Sequence, residues 1–225
     1  MSEVVERGRG ERASAAQRQA TPSPAEWPLG RRLRIERTRL GMSARELARR
    51  LEVSPSLVSQ IETGKIQPSV RTLYAMVSVL GVSVEDLFAP IGSPPAAGSA
   101  GGALDAGGSP SEAAERHVLR RDDRRIIELQ SGVRWEWLTK GDDRDVEFVR
   151  AVYGVGGASS PDGKLVRHNG HEFGLVLSGR LRVTVGFEEC VLEAGDSISF
   201  PSSIPHRLRN DGDEVVDAIW VVIGR

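Results

Sequence analysis

Two different hydrophobic periods divide the chain. Between Leu29 and Phe88 the apolar residues recur at helical spacing and are bracketed by capping residues. Ser43 followed by Glu46 makes a capping box, with Met42 and Leu47 placed as a hydrophobic staple. The run Ala44, Leu47, Ala48, Leu51 then follows the i, i+3, i+4, i+7 rule. Ser54 caps a second helix with Pro55 at its first position, running through Val58 and Ile61 to a stop at Gly64. Ser69 caps a third, in which Leu73, Met76, Val77 and Leu80 form one stripe ended by Gly81. With Leu29 to Leu40 in front and a short helix from Ser83, the pattern predicts a compact five-helix unit. Later in the chain the period becomes two. Glu172–Leu177, Arg180–Val185, Ser197–Phe200 and Val215–Val222 are short β-rich runs separated by Ser178-Gly179, Ala194-Gly195-Asp196 and Asn210-Asp211-Gly212. Such strands predict a small antiparallel barrel or jelly roll.

Two stretches carry neither period. Residues 1–28 are polar and alanine-rich, which predicts a disordered tail. From Ala89 the chain is dense in Gly, Ala, Pro and Ser, which predicts a flexible linker over 89–118. The expected division is therefore a tail (1–28), a helical domain (29–88), a linker and a β domain (119–225), which suits 225 residues at roughly 150 per domain.

Thirty Lys and Arg against 31 Asp and Glu leave a net charge of −1, but the balance is uneven. The tail sums to 0, residues 29–88 hold ten basic and six acidic groups for +4, and residues 89–225 carry −5. A basic helical unit joined to an acidic β unit points to a nucleic-acid partner for the first. The single cysteine, Cys190, excludes an intramolecular disulfide and reads as a small buried hydrophobe. The longest apolar run, Ala218 to Ile223, is too short to span a bilayer, so a cytoplasmic protein with no membrane role is expected.

In the helical unit, the helix after the Leu51–Ser54 turn presents Ser56, Ser59 and Gln60, short or amide side chains that suit close approach to base edges. The run SARELARRLEVSPSLVSQIETGKIQPS resembles the Xre-type, phage-repressor-like helix-turn-helix family over Leu29 to Phe88. That resemblance implies that Pro55, Ser56, Ser59 and Gln60 face bases of a double-stranded operator. It also implies that Ser43, Arg45, Ser54, Lys65 and Arg71 contact phosphates, and that Glu62 orients neighbouring basic groups. Glu52 stands where the family's turn often has glycine, which predicts a left-handed backbone there.

In the β unit, His168 and Glu172 are four apart and share a face of an extended strand, with His171 on the other; His206 opens a later strand. Two imidazoles and a carboxylate make the set that suits ferrous iron or another divalent metal with open positions. The segments around them resemble the two motifs of the cupin family: His168, Glu172 and Gly179, then Gly195-Asp196, Pro201, His206 and Asn210. The resemblance implies a cupin jelly roll whose motif residues open into the barrel. Val166 replaces the family's additional histidine, so a divalent ion (Fe, Zn, Mn or Ni) and an organic ligand without metal both remain open. Val166, Trp135, Trp137 and Arg180 are the candidate pocket residues.

The combination is similar to Xre-type transcriptional regulators with a C-terminal cupin sensor. It implies a sequence-specific DNA-binding homodimer, joined through its cupins, whose affinity for the operator responds to a small-molecule effector or metal, and which is not an enzyme. The alternative from another class is a mononuclear iron cupin oxygenase. Hydroxypropylphosphonate epoxidases also join an Xre-like helical domain to an iron cupin. Against it, the β unit offers no phosphonate-binding cluster beyond Lys164, Arg167 and Arg180.

Overall fold

The computed structural model describes residues 29–88, 117–140 and 145–224; the expected tail, and the linker up to residue 116, lie outside the described residues. Four α-helices lead: α1 (Leu29–Arg39), α2 (Ala44–Leu51), α3 (Pro55–Glu62) and α4 (Val70–Leu80). The caps lie where the sequence puts them. Ser43, Ser54 and Ser69 are N-caps, each accepting from the backbone N–H three residues on, and Gly81 closes α4 at φ 67°. Glu52 takes φ 55° as the left-handed cap of α2, so the α2–α3 turn forms without glycine. Ser43 completes only half of the expected box. The Glu46 carboxylate bonds Arg49 and Arg50 instead of reaching back to the cap.

The fifth helix is a single 3-10 turn, Glu85–Phe88, whose Asp86 and Ser83 cap each other's backbone. Four residues give too few α-helical bonds to offset the cost of a helical nucleus.

Leu33, Leu47, Val58, Leu73 and Met76 are buried between the helices. There α1 crosses α3 so closely that Gly30 lies against the carbonyl of Ile61. Arg37 of α1 donates two bonds to the carboxylate of Glu62, at 2.5 and 2.8 Å, tying the same pair of helices. Glu62 is thus a structural anchor for a basic group, as the family resemblance implies.

Nine strands follow: β1 (Ile126–Leu129), β2 (Val133–Trp137), β3 (Val146–Tyr153), β4 (His171–Ser178), β5 (Leu181–Val185), β6 (Glu188–Leu192), β7 (Ser197–Pro201), β8 (His206–Arg209) and β9 (Val216–Ile223). They pair antiparallel as two sheets, β1-β2-β3-β9-β4-β7 and β6-β5-β8. Strand β3 shows the period-two rule throughout: Glu147, Val149, Ala151 and Tyr153 point in and their neighbours point out.

Cys190 departs from expectation. It is exposed, because β6 is the edge of the smaller sheet and only its last residue, Leu192, reaches cover.

The helical unit is docked on the strands. The Arg71 N–H at the start of α4 donates to Ser159 O (3.1 Å), and the Gln130 N–H in the β1–β2 turn donates to Pro68 O (2.9 Å). One turn further along α4, the Tyr74 hydroxyl donates to the buried carboxylate of Glu147 on β3 (2.9 Å).

Candidate functional site

Three side chains converge where the sheets face each other under α4. Glu172 comes from β4 and His206 from the start of β8. His168 lies three residues before β4, in an irregular segment held by its N–H to Ser202 O. The expectation that His168 and Glu172 meet is right, but not through strand alternation. The chain bends at Gly170 (φ 106°) and brings His168 back over the inner face. His171 points outward against Phe173.

Glu172 Oε1 lies 3.0 Å from His168 Nε2 and 3.0 Å from His206 Nε2, with all three side chains at most 7% exposed. Both imidazoles present Nδ1 to a backbone carbonyl, His168 to Asn169 O and His206 to Ile204 O, each at 2.9 Å. A carbonyl only accepts, so Nδ1 carries the hydrogen and Nε2 of the neutral ring is a lone pair aimed inward. Glu172 Oε1 and His168 Nε2 form no bond of proper geometry despite their closeness.

Three acceptors facing one another require a cation between them, and a proton on an imidazole or a metal ion supplies it. The electrostatics agree. Burial alone would raise the Glu172 carboxyl, but the two imidazoles hold it down to about 2. Burial likewise works against protonated His206, yet contact with Glu172 outweighs it and raises its pKa. The donor set, one ligand atom from each side chain within 4.8 Å of the others, fits a divalent metal with open positions.

Glu172 is itself positioned. Its Oε2 accepts from the Trp220 indole at 2.7 Å. Trp220 reaches it across Gly174, its partner in the β4–β9 ladder, where a Cβ would stand 2.1 Å from the indole ring. Gly174→Ala is therefore expected to turn Trp220 away, freeing Glu172. Titration calorimetry with Zn(II) should show roughly 10–100-fold weaker binding, the usual cost of losing a group that orients a ligand.

The enclosed cavity beside the triad is about 20 Å³, and Val70, Tyr74, Trp135, Glu147, Val166 and Trp220 are among the residues that line it. Val166 contributes an apolar wall where a further histidine ligand would stand, so at most three protein ligands are available. Two expected pocket residues are not there. Trp137 is fully buried beyond Trp135, edge to face with it, under the Arg125 guanidinium. Arg180 is exposed and pairs with Glu193, because it lies in the turn before β5 and not in the strand. Arg182 is taken by Asp211 and Glu189.

Tyr74 and Glu147 are site residues that the sequence pattern did not single out, although each left a signal in it. Val70, Tyr74 and Val77 form a second stripe on α4 beside the one facing its own helices, and Glu147 is a carboxylate in phase with three inward residues of β3.

On the helical unit, Pro55, Ser56 and Ser59 lie exposed along α3 and Gln60 is half-buried beside them. Arg45 and Lys65 are exposed, and neither has a carboxylate partner among the described residues. The hydroxyl oxygens of Ser43 and Ser54 accept from Glu46 N and Leu57 N, which leaves each hydroxyl hydrogen to donate outward. Arg71 is set apart from this group, half-buried at the junction with the strands.

The helix-turn-helix domain family matches residues 28–89, and the cupin domain family matches residues 150–222. The chain is 28% identical over 184 residues to the HTH-type transcriptional regulator PuuR of Escherichia coli (strain K12), covering 80% of this chain and 86% of that protein. It is 37% identical over 57 residues to an uncharacterized HTH-type transcriptional regulator of Archaeoglobus fulgidus, covering 25% of this chain and 81% of that one. The crystal structure of an HTH_3 family transcriptional regulator from Vibrio cholerae shares the fold, with a TM-score of 0.58 at 19% identity over 88% of this chain and 96% of that chain. Among the described residues no helix is long and apolar enough to cross a membrane.

Proposed function

Because the chain belongs to the helix-turn-helix transcriptional regulators and carries a cupin domain behind its helices, we propose that α3 enters the major groove of an operator while the cupin cavity senses a metal ion or small molecule. The surface of α3 carries this reading. Its exposed face holds Pro55, Ser56 and Ser59 with Gln60, which lets the helix approach base edges closely. The unpaired cations Arg45 and Lys65, with the N-termini of α2 and α3, supply phosphate contacts on either side. The domains are taken to divide at 29–88 and 119–225.

Gln60→Ala should cost about 1–3 kcal/mol on the specific operator and relax selectivity, whereas Arg45→Ala should weaken all sequences alike and lower the salt slope by about one. Fluorescence anisotropy on specific and random duplexes at several salt concentrations checks both. Equal loss on the two duplexes for Gln60→Ala removes it from base reading.

Two copies are proposed to meet across the outer face of the six-stranded sheet. There Phe173, Leu175 and Leu177 on β4 are 44%, 40% and 47% exposed, beside Ile219 and Val221 on β9. A sheet apolar on both faces suits a second layer. A two-fold dimer would present two α3 helices to half-sites about one helical turn apart.

The metal reading rests on the three converging acceptors, and the same triad suits an iron oxygenase. The exposed reading face of α3 and the +4 charge of the helical unit speak for the regulator; the cavity, about 20 Å³ with Tyr74 in place, holds about one water or ion and favours neither reading. Iron-loaded protein that consumes oxygen with a substrate would overturn the non-enzymatic reading.

A further inference from the structure

The phenol of Tyr74 does more than fill space at the junction. Its ring stacks on His168 with centroids 4.1 Å apart and planes 10° from parallel, and packs edge-on to Trp135 at 5.8 Å. Its hydroxyl donates to Glu147 Oε2, a carboxylate of a side chain with no exposure. Flat apolar contact on one imidazole and a hydrogen bond at the far end of the ring are together the recognition of a phenol. Here the guest is a side chain of the DNA-binding unit. Tyr74 also separates two spaces: the closed cavity of about 20 Å³ and, on its outer side, a cleft of about 360 Å³ between α4 and the strands. His168 lines both.

We propose that the mouth of the cupin cavity is a binding site for a small planar molecule with a hydrogen-bond donor, of the phenol type, and that Tyr74 of α4 is its resident occupant. The inference deepens the sensor reading and rests on it. A benzene-sized guest needs a cavity of roughly 150 Å³, several times what the docked state provides, so it enters only when Tyr74 leaves. Tyr74 is fixed on α4, and the N-terminal end of α4 is held by the Arg71–Ser159 bond and, just before the helix, by the Gln130–Pro68 bond. Displacing the ring therefore competes with docking of the whole helical unit. A ligand that binds only the undocked state shifts the population toward it, and by linkage docking weakens the ligand.

Two backbone amides report the event. Arg71 is the second residue of α4, where a helical N–H has no partner within its own helix, so Ser159 O is its protection. The Gln130 N–H belongs to a turn and is protected by Pro68 O. Amide hydrogen exchange by NMR on the full chain, with Val58 and Trp220 as core references, tests the proposal. Tyr74→Ala is expected to accelerate Arg71 and Gln130 together by at least tenfold while both references stay unchanged, and Tyr74→Phe by less. Saturating 4-methylphenol should accelerate the same two amides in the unsubstituted protein.

Unchanged exchange at both amides in Tyr74→Ala, or exchange only with the core references, overturns the lid. Acceleration in Tyr74→Ala without any response to 4-methylphenol overturns the phenol-type chemistry of the site. Operator binding and Zn(II) binding are read on the same samples. Their absence counts against the regulator and metal readings, whereas the lid stands or falls with the two amides alone.

Discussion

Glu172→Gln should abolish the stabilisation that a divalent metal gives the chain, while leaving the metal-free protein, at an alkaline pH where both imidazoles are neutral, as stable as its parent or more so. The two effects have one cause. Without a metal, Glu172 Oε1 faces two inward Nε2 atoms at 3.0 Å, and the contact is favourable only while an imidazole holds an extra proton. An amide in its place is uncharged, which removes the cost of burying a carboxylate, and its NH₂ can donate to one of the rings. Its oxygen still accepts from Trp220, as Glu172 Oε2 does. With metal the order reverses. The parent gains about 2.7 kcal/mol when free metal reaches 100 times its dissociation constant, and an amide replacing the charged ligand forfeits that gain. Thermal unfolding with Zn(II), with Fe(II) under anaerobic conditions and with a chelator decides the matter. A variant that keeps the parent's metal-dependent increment removes Glu172 from the site; one that is strongly destabilised in chelator at that alkaline pH contradicts the arrangement of three acceptors.

What the sequence shows of this molecule is mostly what is local. The caps at Ser43, Ser54 and Ser69 and the stop at Gly81 involve atoms a few residues apart, so they are legible as spacing. The triad was legible for another reason: few residue types can serve as ligands, and the two cupin segments bring theirs in a recognisable order. The lid was not legible. Tyr74 and Glu147 are 73 residues apart, and each sits in a pattern that is already explained without the other, an apolar helix face and an alternating strand. Local rules likewise could not tell that β6 would be an edge strand and expose Cys190, or that Trp137 would pass behind Trp135 instead of reaching the cavity. Those outcomes depend on how the sheets close over each other, which no short window contains.

The close crossing of α1 and α3 opposes local and tertiary reasoning most sharply, and Gly30→Ala measures the conflict. On helix propensity alone the substitution should stabilise, since alanine is better than glycine inside a helix by about 1 kcal/mol. The packing predicts the opposite sign. A Cβ on residue 30 would stand 2.0 Å from the Ile61 carbonyl oxygen and 3.0 Å from the Glu62 Cα, backbone atoms that no rotamer change can move. α1 must therefore back away from α3, loosening the Arg37–Glu62 pair and the buried Leu33 that hold the same crossing. A loss of about 3 kcal/mol is expected, the upper range for overpacking a fitted interior. Urea denaturation should show a lower midpoint for the helical unit. Because α3 is the helix proposed to read DNA, operator affinity measured where the variant is still folded should fall as well. A stabilised Gly30→Ala would mean that the two helices do not approach as closely as described, and that α3 is oriented by something other than its contact with α1.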